Sequence, residues 1–280
     1  MDENPPRNCP QCGRDNQGRA ALPYSQEHWR IKDCGGCGFV YLENPVSYEA
    51  LSTEYAWSQT KLTEGDRKLQ REPVLISAER RLRRFRKRVF GHTNKALLYL
   101  RTFVGVGSFL DVGCGNGGYI RKAAPDLVGS GIELDPQAAA VAAEYAQAVG
   151  GRVVGADALN GLKQFDTDTF DAVLMRAYLE HETEPRAVLN QAERVLNPNG
   201  FLVIQVPNYA SVNRRVRGER WCGFRFPDHV NYFEPKSLES MVRESGFEII
   251  QFRLRDRFPL SDRLWMVAAT PDIHSRKLAG

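Results

Sequence analysis

The stretch FLDVGCGNGG, residues 109–118, decides the fold class of this chain. Apolar residues lead directly into a glycine-rich turn, which is how an α/β sheet holds a nucleotide-like ligand. Gly113, Gly115 and Gly118 also satisfy the pattern G-x-G-x-x-G, so the glycines alone are compatible with a dinucleotide.

Asp111 distinguishes between the possible ligands of this turn. A carboxylate beside the turn would repel the pyrophosphate of a dinucleotide and attract a ligand that carries an ammonium and a sulfonium. We expect Gly113, Gly115 and Gly117 to let the backbone approach that ligand without side-chain collision.

Strands and helices alternate after residue 106 with the spacing of a parallel sheet. We expect strands over 108–112, 128–133, 152–155, 170–175 and 200–206, and helices over 117–124, 136–149, 185–196 and 236–245. The β-rich segments 247–254 and 263–270 can pair as a final antiparallel hairpin. An NAD-binding domain would usually end with a sixth parallel strand instead.

Glu133 ends the second expected strand, about 20 residues after Gly113, where an acid can accept both hydroxyls of a ribose. The alternative is a helix-capping role, which Asp135 immediately before Pro136 would fill better.

These motifs, together with the fourth expected strand and the residues that follow it, FDAVLMRAYLEH (170–181), resemble the motifs of the class I S-adenosylmethionine-dependent methyltransferases. The resemblance implies an α/β fold with a Rossmann-like seven-stranded sheet, and S-adenosyl-L-methionine as cofactor. It implies that Asp157 accepts from the adenine amino group, although Asp157 could also be a plain helix cap. Arg176 is unusual for this place in the family. The implied cofactor contacts are Asp111, Gly113, Cys114, Gly115, Gly117, Glu133, Leu134, Asp157, Ala158 and Met175.

Two Cys-x-x-Cys-Gly turns near the amino terminus indicate a metal site: Cys9 with Cys12, and Cys34 with Cys37. Two such turns can complete a tetrahedral Zn²⁺ site, with room between them for a short hairpin at 29–32. Two disulfides or separate core thiols are the alternatives; a cytosolic location disfavours the first and the paired turns disfavour the second. Four thiolates leave no open position, so the zinc is expected to be structural.

The ribbon, the stretch FVYL (39–42) and the stretch DHVNYFEPKSL (228–238) resemble a bacterial subset of these methyltransferases that carries such a ribbon. Many members of that subset are associated with sugar, polysaccharide or other secondary metabolites. The resemblance therefore implies a small or sugar-linked methyl acceptor.

Methyl transfer from a sulfonium is an in-line displacement, and a hydroxyl acceptor also needs a base. His229 is expected in the loop after the fifth strand, either as that base or as a structural hydrogen-bonding residue beside Tyr232. His181 follows the fourth strand and is a second candidate. The aromatic residues of the later loop can line an acceptor pocket or form loop core: Trp221, Phe224, Phe226 and Tyr232.

The expected organisation is a zinc ribbon (1–45), a helical linker or lid (46–105), a methyltransferase domain (106–272) and a tail (273–280). Apolar residues make up 42% of the chain and charged residues 26%, which is typical of a globular protein. No apolar run is long enough to cross a bilayer, and the first residues lack the features of a signal peptide. We therefore expect a cytoplasmic protein without a membrane partner.

The net charge is only +4, but the basic residues are clustered. They could bind phosphates or form solvated helix faces. The two groups are Arg80, Arg81, Arg83, Arg84, Arg86, Lys87 and Arg88, and Arg214, Arg215, Arg217, Arg220 and Arg225.

Two further functions compete with methylation of a small metabolite. A zinc-ribbon RNA methyltransferase would use the basic residues to hold nucleic acid, although such enzymes usually mix cysteine and histidine in the metal site. A scaffold that binds the cofactor without turnover is the third hypothesis.

Overall fold

The structure, a computed structural model, describes residues 6–46 and 94–271. Most of the expected helical linker or lid, residues 47–93, lies outside these residues, and so does the first basic group. The described strands are β1 (Ile31–Asp33), β2 (Val40–Leu42), β3 (Gly107–Val112), β4 (Leu127–Glu133), β5 (Val153–Gly155), β6 (Phe170–Arg176), β7 (Leu196–Pro207), β8 (Asn231–Tyr232), β9 (Glu248–Gln251) and β10 (Arg263–Ala269). The described helices are α1 (Lys95–Phe103), α2 (Gly118–Ala123), α3 (Pro136–Gln147), α4 (Ala158–Leu162), α5 (Pro185–Val195), α6 (Val212–Arg217) and α7 (Pro235–Glu244).

Seven strands form the main sheet in the order β5-β4-β3-β6-β7-β10-β9. The first five are parallel, and β10 pairs antiparallel with both β7 and β9. The expectation of five parallel strands followed by an antiparallel pair is therefore confirmed. The carboxyl ends of β3, β4, β5 and β6 lie at one edge of the sheet, where ligands of such folds bind.

The alternating side chains of β3 point into two separate cores, as the pleat of a strand requires. Leu110 and Val112 join the core formed with α4, α5 and α7. Phe109 joins the core formed with α1, α2 and α3 on the opposite face. Helices therefore cover both faces of the sheet.

Two expectations about the later part of the sheet need correction. The fifth parallel strand begins at Leu196 rather than at residue 200, with a register shift between Phe170 and Ala172 of the neighbouring β6. The segment after this strand is not simply a loop, because it contains α6 and the short strand β8.

The ribbon, defined here as residues 6–46, forms a second sheet with a strand from outside it. Strands β1 and β2 are antiparallel, and the second cysteine pair lies in their connection. The expected hairpin at 29–32 is wrong in position, since Trp29 makes only an isolated bridge with Gln26. Strand β8 pairs with β2 and completes a three-stranded sheet.

The ribbon shares its interior with the rest of the molecule. Phe39 and Phe233, both buried, meet edge to face with ring centroids 5.3 Å apart. The guanidinium of Arg7 donates to the carbonyl oxygens of Leu42 (2.9 Å), Thr183 (2.7 Å) and Val230 (2.6 Å). The ribbon is thus packed against the loop that follows β6 and against β8. The domain boundary at residue 45 stays a prediction.

Among the described residues, no helix is both long enough and apolar enough to cross a membrane.

Replacing Arg7 with alanine should lower the free energy of unfolding by about 2–4 kcal/mol, because several charge-assisted hydrogen bonds are lost together. Arg19→Ala is the matched control, since Arg19 pairs with Asp33 at 2.8 Å on the surface and such pairs contribute about 0–1 kcal/mol. Urea unfolding of both variants measures the difference. Equal effects of the two substitutions would show that Arg7 does not join the ribbon to the sheet.

Candidate active site and cysteine cluster

Asp111 is a buried carboxylate at the carboxyl edge of the sheet. It is 3% exposed, and its Oδ2 has no hydrogen-bond partner within the described part of the chain. Burial raises the pKa of Asp111 well above its usual range; the charge of Arg176 opposes this shift and that of Glu133 adds to it. A cationic ligand at this edge would relieve the cost of the unpartnered oxygen.

Glu133 ends β4 and holds the glycine turn in place. Its Oε2 accepts from the backbone amide of Gly115 at 2.7 Å, and its Oε1 accepts from the amide of Asp135 at 2.9 Å. Each carboxylate oxygen has two lone pairs, so these bonds leave acceptor capacity for a ribose. Asp135 caps α3 by accepting from the amides of Gln137 and Ala138.

The glycines of the turn serve different purposes. A Cβ on Gly117 would lie 2.9 Å from the Cα of Ala142, so this glycine allows α2 and α3 to pack. A Cβ on Gly113 would lie 2.7 Å from the ring of Tyr178. Gly115 has a φ of +52° and open space beside it, so a ligand can approach the backbone at this position.

The other residues expected to contact the cofactor lie at or just after the carboxyl ends of β3, β4, β5 and β6. Asp157 caps α4, accepting from the backbone amide of Asn160 at 2.9 Å. Its role toward adenine stays a prediction, as do the contacts expected of four neighbours. Of these, Leu134 is half-buried, whereas Cys114, Ala158 and Met175 are buried.

The loop after β6 brings Arg176 and Tyr178 to the same edge. The guanidinium of Arg176, the residue that is unusual for this place in the family, lies over the ring of Tyr119, 5.3 Å from its centroid. The hydroxyl of Tyr178 donates to Oε2 of Glu182 at 2.7 Å. Sequence reasoning did not single out Tyr178, although its place directly after the fourth strand was a usable signal.

His181 and His229 come from different loops and meet edge to face, with ring centroids 4.7 Å apart. Nδ1 of His181 lies 2.9 Å from the carbonyl oxygen of Asp228, and Nδ1 of His229 lies 2.8 Å from that of Gly223. Burial lowers the pKa of His181 to about 4, with the charge of Arg225 acting in the same direction. His181 is therefore neutral at physiological pH.

Glu180 is the functional candidate that sequence reasoning missed. It is 1% exposed, and its Oε2 has no hydrogen-bond partner among the described residues. Burial raises the pKa of Glu180 to about 8, against the opposing charges of Arg225 and Arg176. Its position directly before His181 was the only signal in the sequence.

The loop that carries His229 is held against the loop after β6 by hydrogen bonds from the main chain and from a side chain. The backbone amides of Val230 and Asn231 donate to the carbonyl oxygen of Glu180 at 2.7 and 3.1 Å. The Asn231 side chain donates to the carbonyl oxygens of Leu179 (2.8 Å) and Glu182 (2.6 Å).

Tyr232, expected as a catalytic candidate, lies inside the ribbon core. Its hydroxyl donates to the carbonyl oxygen of His229 at 3.0 Å, and burial raises its pKa well above the usual range. The neighbouring aromatic residues form loop core rather than an open wall: Trp221 and Phe224 are buried, and Phe226 packs against the same cluster.

The four amino-terminal cysteines converge as expected from their spacing. Their sulfurs all lie within 4.8 Å of one another, with Cys9 to Cys37 at 3.6 Å and Cys12 to Cys34 at 3.5 Å. Burial of Cys34 opposes ionisation, but hydrogen bonds from the backbone of Cys37 and Gly36 and from the side chains of Asn16 and Cys12 together lower the pKa of Cys34 to about 6. Four sulfurs in this arrangement are the donor set of a structural Zn²⁺ site.

Part of the second basic group is engaged within the protein. Arg214 lies over the Tyr209 ring, 4.2 Å from its centroid, and donates from Nε to the Tyr209 carbonyl oxygen. Arg225 pairs with Asp228 at 2.7 Å. These two side chains therefore support the loop around His229.

Comparison with known proteins gives a direct answer about the family. The model of the methyltransferase domain family matches residues 76–252. This chain belongs to that family. It is a class I S-adenosylmethionine-dependent methyltransferase, and the seven-stranded sheet agrees with that class.

Relatives of this methyltransferase include a ubiquinone biosynthesis O-methyltransferase of Azorhizobium caulinodans, 26% identical over 67% of the chain and 75% of the relative. An uncharacterised protein of Methanocaldococcus jannaschii is 25% identical over 54% of the chain and 70% of the relative. Among solved structures, a SAM-dependent methyltransferase from Archaeoglobus fulgidus aligns with a TM-score of 0.49 and 18% identity, covering 66% of the chain and 98% of that structure.

The residues at the carboxyl edge of this methyltransferase fit its cofactor. Asp111 provides a buried carboxylate whose Oδ2 has no hydrogen-bond partner in the described ranges, and Gly115 provides open backbone. Glu133 provides acceptor oxygens at the end of the neighbouring strand.

Replacing Asp111 with asparagine should stabilise the fold and weaken cofactor binding. The pKa of this acid is raised by folding, so its contribution to stability is present at low pH and is lost as pH rises; at pH 7 a neutral side chain should gain about 1–3 kcal/mol. Loss of the negative charge should weaken binding of S-adenosylmethionine at least about tenfold. Thermal unfolding and calorimetry measure the two effects.

The matched control is Asp126→Asn, because Asp126 is exposed at the other end of the sheet. In the wild type, cofactor affinity should fall as pH is lowered, since protons compete with the cation for Asp111, whereas the affinity of Asp111→Asn should not change with pH. Unchanged affinity in Asp111→Asn at pH 7 would contradict the assignment.

Replacing Cys34 with serine should remove one equivalent of zinc from the purified protein, because three thiolates hold the ion less tightly. Cys222→Ser is the control, since Cys222 is an exposed thiol outside the cluster. Metal analysis by mass spectrometry gives both values. Equal zinc content in the two variants would contradict a zinc site in the ribbon.

Proposed function

We propose that this enzyme transfers a methyl group to a hydroxyl oxygen of a small or sugar-linked metabolite. The observation that carries the proposal is the meeting of His181 and His229 at the carboxyl edge of the sheet. The names of its relatives, ubiquinone biosynthesis O-methyltransferases, support oxygen as the acceptor atom.

The residues of the glycine turn would hold the cofactor. S-adenosylmethionine supplies the methyl group as a sulfonium. Asp111 would face the positive charge of the cofactor and Glu133 the ribose, while Gly115 would let the backbone approach. We assign Asp157, Ala158, Leu134, Met175 and Cys114 to the surroundings of the nucleoside.

The acceptor would bind beside the Glu180–His181–His229 cluster. The charge of Arg176 acts on the carboxyls of both Asp111 and Glu180, which links this cluster electrostatically to the cofactor turn. In each histidine Nδ1 is directed at a carbonyl oxygen, so Nε2 would be the ring atom that takes the hydroxyl proton. The hydroxyl must lose its proton for its oxygen to attack the methyl carbon.

Tyr232 is assigned a positioning role. Its hydroxyl bonds the main chain of His229 from within the ribbon core, so it would fix the ring rather than exchange protons with the acceptor. We assign the ribbon a structural zinc ion, which would keep β2 in place for pairing with β8.

Replacing His229 with glutamine should lower methyl transfer at least about 100-fold, which is the usual scale for loss of a general base. His28→Gln is the control, because His28 is exposed in the ribbon. Both variants are incubated with S-adenosylmethionine labelled in the methyl group and with fractionated extracts of small metabolites. Mass spectrometry then locates the label.

Cofactor binding should be unchanged in His229→Gln, which separates loss of chemistry from loss of the fold. Label found in RNA, or on nitrogen or carbon of the metabolite, would overturn the proposal, and so would full activity of His229→Gln.

A further inference from the structure

Glu180, His181 and His229 form a second cluster with metal-ligand chemistry, apart from the ribbon cysteines. One carboxylate oxygen and one nitrogen of each ring all lie within 4.8 Å of one another. Two ligands that each lie about 2.1 Å from one ion are at most about 4.2 Å apart, so the three ligand atoms would have to move only slightly closer together to bind an ion.

The two histidines are oriented as metal ligands usually are. The backbone carbonyls of Asp228 and Gly223 can only accept a hydrogen bond, so Nδ1 of each ring carries a proton. The ring nitrogen left to bind a metal ion is then Nε2. A ring held through Nδ1–H by a backbone carbonyl is the arrangement that fixes the tautomer of metal-binding histidines.

Glu180 supplies the independent observation that points to a ligand. Its carboxylate oxygen Oε2 is buried and has no hydrogen-bond partner among the described residues. A carboxylate oxygen in that state costs about 1–3 kcal/mol or more unless something binds it. Its backbone carbonyl is held by the amides of Val230 and Asn231, so the residue is fixed beside His229.

We propose that Glu180, His181 and His229 bind one divalent transition-metal ion, through a carboxylate oxygen and two imidazole Nε2 atoms. A set of two histidines and one carboxylate suits Mn²⁺, Fe²⁺ or Zn²⁺. Arg225, whose charge acts on both Glu180 and His181, is paired with Asp228 at 2.7 Å, which offsets its repulsion of an ion. His181 is only partly buried, so an ion can enter from its side.

Three protein ligands leave coordination positions open for an acceptor. This part of the inference rests on the proposed methyl transfer to oxygen, whereas metal binding itself does not. A hydroxyl bound to the ion would have a lowered pKa and would release its proton to water. The remaining oxygen anion would form a bond to the methyl carbon as the bond between that carbon and the sulfonium sulfur breaks, and the electron pair would stay on sulfur in S-adenosylhomocysteine. In the loaded protein, the two rings would then position the ion rather than accept the proton themselves.

The test uses the full-length protein with its ribbon already loaded with zinc, and Mn²⁺ alone as the probe. Mn²⁺ prefers oxygen and nitrogen ligands and does not displace zinc from four thiolates. Electron paramagnetic resonance of a Mn²⁺ titration should show one bound equivalent, with ¹⁴N coupling from imidazole. Glu180→Gln and His229→Gln should each weaken this binding at least tenfold, and the matched controls Glu184→Gln and His28→Gln should not change it.

Zinc content and circular dichroism verify that the variants are folded. Absence of a bound Mn²⁺ equivalent, or absence of ¹⁴N coupling in the wild type, would overturn the proposal without reference to any variant. Wild-type affinity in both Glu180→Gln and His229→Gln would overturn it as well.

Activity assays separate this inference from the proposed function. If protein that has zinc only in the ribbon transfers the methyl group to oxygen at full rate, the ion proposed at Glu180, His181 and His229 has no catalytic role. That result would still support the proposed function. Bound Mn²⁺ with labelled methyl on nitrogen or carbon would support the metal site and overturn the proposed function.

Discussion

The carbonyl oxygen of Glu180 accepts hydrogen bonds from the amides of Val230 and Asn231, and most of the candidate site depends on this contact. It joins the loop after β6 to the segment that carries His229. The Asn231 side chain binds two more carbonyls of the same loop, and Arg7 binds both sides from the ribbon. Without these bonds the two histidines would lie on independent loops.

The ribbon is part of the structure that holds these two loops together, and it is not a separate module. Strand β2 pairs on one side with β1 and on the other with β8, so the ribbon sheet is incomplete without residues 231–232. Phe39 shares a core with Phe233, and Tyr232 bonds the main chain of His229 from within the ribbon cluster. A structural metal ion in the ribbon would therefore stabilise the position of His229 over a long distance in sequence.

Within residues 6–46 and 94–271, one carboxylate oxygen of Asp111 and one of Glu180 are buried at the functional edge without a hydrogen-bond partner. Burial without a partner destabilises a fold, and natural proteins accept such a cost mainly at functional sites. Asp111 faces the glycine turn and Glu180 faces the two histidines. The same edge therefore offers one buried acid on the proposed cofactor side and another on the proposed acceptor side.

The sequence by itself determined the parallel sheet, the glycine turn, the strand-end acids and the cysteine pairs, because each depends on local spacing of residue types. It could not show whether Asp157 caps a helix or contacts adenine, because both roles require an acid after a strand. Only the tertiary structure decided that β8 completes the ribbon and that Glu180, His181 and His229 converge. These contacts join residues far apart in the chain, and no local pattern encodes which loops will meet.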